Sequence, residues 1–149
     1  MRLQLTKRTD YAIRACLYMA SDRCDLPASS GLIARQMEIP ERFLPRVLGE
    51  LTKAGIVEAQ IGRSGGYRLR RAADRISILE LVETVEGSTR TDQCVLRQRG
   101  CDATRPCAFH PVMDQAQSAL INVLATATLA DIVVADRSGQ VALSANPTR

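Results

Sequence analysis

Apolar residues return with helical spacing over residues 7–22, where Ala12, Ile13, Cys16, Leu17, Tyr18 and Ala20 form one stripe and Thr6 can cap the helix. Two shorter helices are expected over residues 30–37 and 41–54, with Glu38, Ile39 and Pro40 as the turn between them. The first of these turns Leu32, Ile33 and Met37 inward. In the second, Leu44, Val47, Leu48 and Leu51 occupy the i, i+3, i+4 and i+7 positions of one face, and Arg42, Pro45, Arg46 and Gly49 take the other. Pro45 falls near the first turn, where a missing N–H costs least, and Gly55 supplies the stop.

A short β run at residues 56–61, a tip of Gly62, Arg63, Ser64, Gly65 and Gly66, and a return strand at 67–69 read as a hairpin. Ser77 and Glu80 make a capping box for a helix that Gly87 closes. A long helix is expected from His110 to about residue 127, with Val112, Met113, Ala116, Leu120, Val123 and Leu124 along one side. Thr128 and Asp131 suggest one further capped turn, and residues 137–149 read as a flexible tail.

Composition narrows the class. Hydrophobic residues make up 46 % of 149, enough for one core, but aromatics are only 3 % and tryptophan is absent. Leu, Val, Ile and Ala must then do the packing, which favours helices. No run approaches the apolar length of a membrane span, and the polar N-terminus lacks the centre of a signal peptide, so a cytoplasmic chain is expected.

Charge separates the two halves. Residues 1–71 hold thirteen Lys or Arg against seven acids, and residues 72–149 hold seven against nine, balances of +6 and −2. A basic half carrying helix, turn, helix and a glycine-rich hairpin has the order of a winged helix-turn-helix. The second helix suits a major groove about 12 Å wide, and the hairpin suits the adjacent backbone or minor groove. The expected DNA-contacting residues are Arg42, Phe43 and Arg46 on the helix and Gly62, Arg63, Ser64 and Gly65 on the wing. The glycine tip lacks the ending of a phosphate-binding loop, so no nucleotide site is expected.

Three cysteines and the single histidine gather in CVLRQRGCDATRPCAFH, as Cys94, Cys101, Cys107 and His110. Three thiolates and an imidazole in a loop with Gly100 and Pro106 suit a metal or an iron–sulfur cluster better than a core. Cys16, inside the first helical stripe, reads as a small core residue, whereas Cys24 has no evident partner. Nothing resembles a nucleophile elbow or a paired acid and base, so an enzyme is not expected, nor a small-molecule substrate.

The segments TKRTDYAIRACLYMA, IPERFLPRVLGELTKAGIV, GRSGGYRL, ISILELVETVEG and the cysteine loop together resemble one bacterial family, that of the iron–sulfur regulator IscR and the nitric-oxide-sensitive repressor NsrR. The resemblance runs from residue 1 to about 133. It implies a homodimeric transcription regulator, with repression as the expected sense, bound to a palindromic double-stranded operator. It also implies a 2Fe–2S or 4Fe–4S cluster on Cys94, Cys101 and Cys107, which controls operator affinity in response to iron, nitric oxide or redox state. His110 matches the fourth ligand of some members, and Asp10 matches a carboxylate that completes the cluster from the other subunit in others. The organisation expected is a winged helix-turn-helix domain at 1–87, a cysteine-rich loop at 88–109, a dimerisation helix at 110–136 and the tail. Two departures stand out: Ile61 replaces an arginine that several relatives carry six residues before the wing tyrosine, and the first two cysteines stand one residue further apart than in the best-known members. A zinc site or a thiol redox switch on the same cysteines remains the alternative.

Overall fold

The computed structural model describes residues 4–21, 27–90 and 107–137. The first helix, α1 (Lys7–Ala20), begins where the Thr6 hydroxyl accepts from the Thr9 N–H at 3.3 Å, and it ends slightly early, where the Ser21 hydroxyl takes the Tyr18 carbonyl. α2 (Ser30–Gln36), capped by Ser29, and α3 (Leu44–Lys53) follow. β1 (Val57–Gln60) and β2 (Gly66–Leu69) pair antiparallel, with Val57 opposite Leu69. A single 3-10 turn (Ala73–Arg75) leads to α4 (Ile78–Glu86), and α5 (His110–Thr126) and α6 (Leu129–Arg137) complete the described chain. The fold is mainly helical with a small β wing, as expected.

α1 occupies the centre and touches α2, α3, α4, α6 and β2. One stripe is therefore too narrow a description of it: Ala15 and Met19 are buried along with Ala12, Cys16, Leu17 and Tyr18. Small side chains at 12, 15 and 16 let neighbours close on several sides, an arrangement that depends on partners far away in the chain. The inward face of α3 is the expected one, with Leu44, Val47, Leu48 and Leu51 all fully covered. Each such side chain contributes about 2 kcal/mol relative to exposure. Ile39, read as part of a turn, is buried as well, because Glu38 adopts φ 53° and turns the chain sharply into the core.

The C-terminal third differs from expectation in two respects. Beyond α5 there is a full helix, α6, rather than one extra turn. The Thr128 N–H donates to Asp131 Oδ2 at 2.8 Å, and the Asp131 N–H returns to the Thr128 hydroxyl at 3.2 Å, a complete capping box. Leu129 and Val133 then enter the core. Residues 76–78 and 127–129 are stitched by Ile78 N–H to the Ala127 carbonyl and Leu129 N–H to the Ile76 carbonyl, each at 2.9 Å, so the junction of α5 and α6 is held against the start of α4.

The second difference is the apolar side of α5, which divides in two. Met113, Leu120 and Leu124 are half-buried, whereas Val112, Ala116, Ala119 and Val123 form an exposed row at helical spacing. At the other capping box, the Ser77 hydroxyl accepts the Glu80 N–H, but the Glu80 carboxylate turns outward to Arg71 instead of back to the cap. Among the described residues no helix is long and apolar enough to cross a membrane. Residues 138–149, expected as a tail, lie outside those described.

Candidate functional site

α3 begins three residues later than its pattern suggested. A start at residue 41 would place the Pro45 ring against the carbonyl of Glu41, whereas a start at Leu44 leaves Pro45 in the first turn, where neither clash nor lost hydrogen bond arises. Residues 41–43 instead form a turn closed by Phe43 N–H to the Pro40 carbonyl at 3.0 Å. Arg42 is thus not on the helix with Arg46, as expected, but in this turn, with its guanidinium 4.7 Å from the centre of the Phe43 ring. Phe43 in turn stacks on Tyr11 of α1, ring centres 6.1 Å apart. The result is a tier of Tyr11, Phe43 and Arg42 at the base of α3, with Arg46 outward beside it.

Arg46 pairs with Glu50 at 3.4 Å, and Glu50 also meets Arg8 at 3.5 Å. Arg8 donates to the Val85 carbonyl at the end of α4. Beside it, Glu86 Oε1 accepts the Thr6 N–H at 2.8 Å and the Thr9 hydroxyl. The hydrogen bond from Thr9, then that from the Thr6 backbone, hold the Glu86 carboxyl below the usual carboxylate range. The start of α1, the end of α4 and the outer face of α3 are therefore one polar network. Nothing in the chain order announced it, because Thr9 and Glu86 are distant in sequence.

The wing tip spans residues 61–65. Gly62 takes φ 128°, which side chains other than hydrogen rarely allow, and its carbonyl accepts the Gly65 N–H at 2.9 Å. Gly66, expected at the tip, is instead the first residue of β2. It is crowded: a Cβ there would stand 2.5 Å from the Ala28 carbonyl oxygen. Ala28 approaches because it adds a short third rung to the sheet, exchanging hydrogen bonds of 3.0 and 2.8 Å with Tyr67. Arg63 and Ser64 are exposed, and so is Ile61, at 99 %.

The candidate metal ligands are only partly in view. Cys107 is exposed just before α5, and the His110 N–H donates to its carbonyl at 3.0 Å, so both belong to one turn at the start of that helix. Arg90, at the near side of the cysteine segment, reaches Asp114 at 3.2 Å and Ser118 at 3.1 Å on the same helix. Cys94, Cys101 and Cys24 lie outside the described residues, and among the described ones no three His, Cys, Asp or Glu side chains gather as a metal site. Asp10 is already engaged. Arg14 holds both of its oxygens, at 2.9 and 3.0 Å, while donating to the Met37 carbonyl at 3.2 Å. The i, i+4 spacing of Asp10 and Arg14 is a signal that would have revealed this pair. Cys16 is wholly buried as expected, and burial pushes its thiol up to about 12.

Comparison with known proteins sets this geometry in context. The Rrf2 model, described as an iron-dependent transcriptional regulator, matches residues 5–135. The chain belongs to the Rrf2 family. Among Rrf2-type relatives it resembles the transcriptional regulator NsrR of Halalkalibacterium halodurans, 32 % identical over 97 % of this chain and 100 % of that one. It also resembles protein aau3 of Rhizobium meliloti, 34 % identical over 89 % of this chain and 86 % of the relative. The solved structure of IscR from T. potens superposes with a TM-score of 0.72 at 26 % identity, over 94 % of this chain and 93 % of that one. CymR of B. subtilis, the global cysteine regulator, shares the fold at a TM-score of 0.72 and 21 % identity, over 89 % of this chain and 98 % of its own. This Rrf2 protein is accordingly a DNA-binding transcription regulator and not an enzyme.

Proposed function

We propose that two copies of this chain pair through α5 and place α3 in successive major grooves of a palindromic operator, with Arg42, Phe43 and Arg46 at the bases and Gly62, Arg63, Ser64 and Gly65 at the backbone or minor groove. The observation that carries this reading is α3 itself. Its four covered side chains leave Pro45, Arg46 and Gly49 as a low outer surface beside a basic tier and a narrow glycine tip. The exposed row Val112, Ala116, Ala119 and Val123 supports pairing, since a contiguous apolar face on a helix requires a cover, and a second copy buries two such faces at once.

We further infer that operator affinity is set by an iron–sulfur cluster held by Cys94, Cys101 and Cys107. The donor chemistry fits: thiolates and one imidazole are the ligand types such clusters take, and Cys107 and His110 share an accessible turn. When bound, a cluster supplies a centre sensitive to oxygen, nitric oxide and iron supply. His110 is favoured over Asp10 as the fourth ligand. Drawing Asp10 away would strand the nearly buried Arg14 guanidinium, a loss of about 3 kcal/mol by the usual cost of breaking such a pair.

The network from Glu86 through Thr6, Thr9, Arg8 and Glu50 to Arg46 gives a route of contact from the near edge of the cysteine segment to α3. Reconstitution under anaerobic conditions tests the reading. The full chain is expected to become coloured and to change its affinity for a duplex selected from a random library, and Cys101→Ala is expected to lose both properties. A colourless, iron-free product after reconstitution, or a coloured Cys101→Ala with unchanged duplex binding, would overturn it.

A further inference from the structure

We propose that Ile61 enters the minor groove of the operator as an apolar wedge, so that this wing reads how easily the duplex opens as well as its charge. The inference rests on the duplex-binding reading above and adds a residue to it. Six other large apolar side chains are exposed among the described residues, but the most open of them reaches only 65 %, against 99 % for Ile61. Among the described residues nothing covers Ile61, and the backbone around it is held in one shape. The Gly62 conformation and the Gly65 to Gly62 hydrogen bond close the turn, and a Cβ on Gly65 would come within 2.3 Å of the Gln60 carbonyl oxygen. Of the five tip residues, only Ile61, Arg63 and Ser64 carry side chains.

That tip matches a groove about 6 Å wide in both width and chemistry. Isoleucine is among the residues that minor-groove proteins press between base steps, and its branched β-carbon leaves little rotamer freedom to lose on ordering. Arg63, two residues on, supplies the cation that the negative groove attracts. Where an arginine at position 61 would add a second charge, isoleucine adds contact with sugars and base edges that releases no counterion. The wing should then favour pyrimidine–purine steps, which unstack most readily.

The two contributions separate by salt. The probe is a duplex selected from a random-sequence library by the full-length wild-type protein, with affinity measured across a range of salt concentrations. Ile61→Ala is expected to bind about tenfold more weakly at every salt concentration with an unchanged slope, because only apolar contact is removed. Arg63→Ala is expected to flatten the slope by about 0.9 for each wing. Ile61→Arg is expected to steepen it, and to lose the preference for pyrimidine–purine steps. Since Ile61 is almost fully exposed, its variants should unfold at the wild-type temperature. Wild-type affinity of Ile61→Ala at all salts would overturn the wedge while leaving duplex binding intact. A wild-type protein that shows no salt-dependent duplex binding would instead overturn the reading beneath it.

Discussion

The helices around α1 and the arm formed by α5 solve opposite problems. α1, α3 and α4 bury their apolar faces within the chain, and α6 returns to close the same core. α5 is the longest helix described, yet none of its residues is fully buried, and Val112 and Val123 stand 57 % and 64 % exposed. The first region is complete in one copy. The second leaves an apolar row open among the described residues, and it also carries Cys107, His110 and the anchor for Arg90. Placing the candidate sensing segment on the incomplete region makes sense for a regulator, since elements that must respond are those least held by the core.

Substitutions can break that contrast. The largest effect is expected from Leu48→Ala, which opens a cavity in the shared core and costs about 3 kcal/mol of unfolding free energy in chemical denaturation. Val123→Asp should leave the far-ultraviolet signal of the core intact and act on assembly, converting a dimer to a monomer by light scattering. A Val123→Asp protein that remains dimeric would show that the exposed row is not the pairing face.

A smaller effect should follow from Glu86→Gln, which tests the polar joint between the end of α4 and the start of α1 inside the first region. The folded-state carboxyl is held low, so its contribution is fully present above the unfolded value of about 4.3 and disappears as pH falls through the folded one. The variant should lose about half a kcal/mol at neutral pH, discounted for exposure, and the difference from wild type should vanish in acid. Equal stabilities at both pH values would mean that the Thr6 and Thr9 contacts contribute nothing. The smallest perturbation is chemical labelling. With its thiol pushed up to about 12, Cys16 should resist alkylation at pH 8 until the protein unfolds, whereas exposed Cys107 reacts in the folded, cluster-free protein, as peptide mass mapping would show.

Much of the architecture was legible because its signals are local. The inward residues of α3, the caps at Thr6 and Ser77, the helix ends at Gly55 and Gly87 and the hairpin all follow from spacings of a few residues. Periodicity alone sets the start of α3 too early, because it cannot weigh the clash that Pro45 would make one turn back. Arg42 was consequently set on the wrong element. The Asp10–Arg14 pair lies within reach of the same local rules, since Arg14 stands one helical turn after Asp10.

Residue order by itself determined the helices, the narrow glycine tip, the basic half and the grouping of three thiols with the histidine, since each depends on neighbours within a turn or a loop. Tertiary structure alone decided that α1 would be covered on several sides, that Gly66 would serve the close approach of Ala28, and that Arg8 and Glu86 would join the ends of α1 and α4 to α3. Those outcomes require segments tens of residues apart to meet, and a spacing rule has no term for what arrives from so far along the chain.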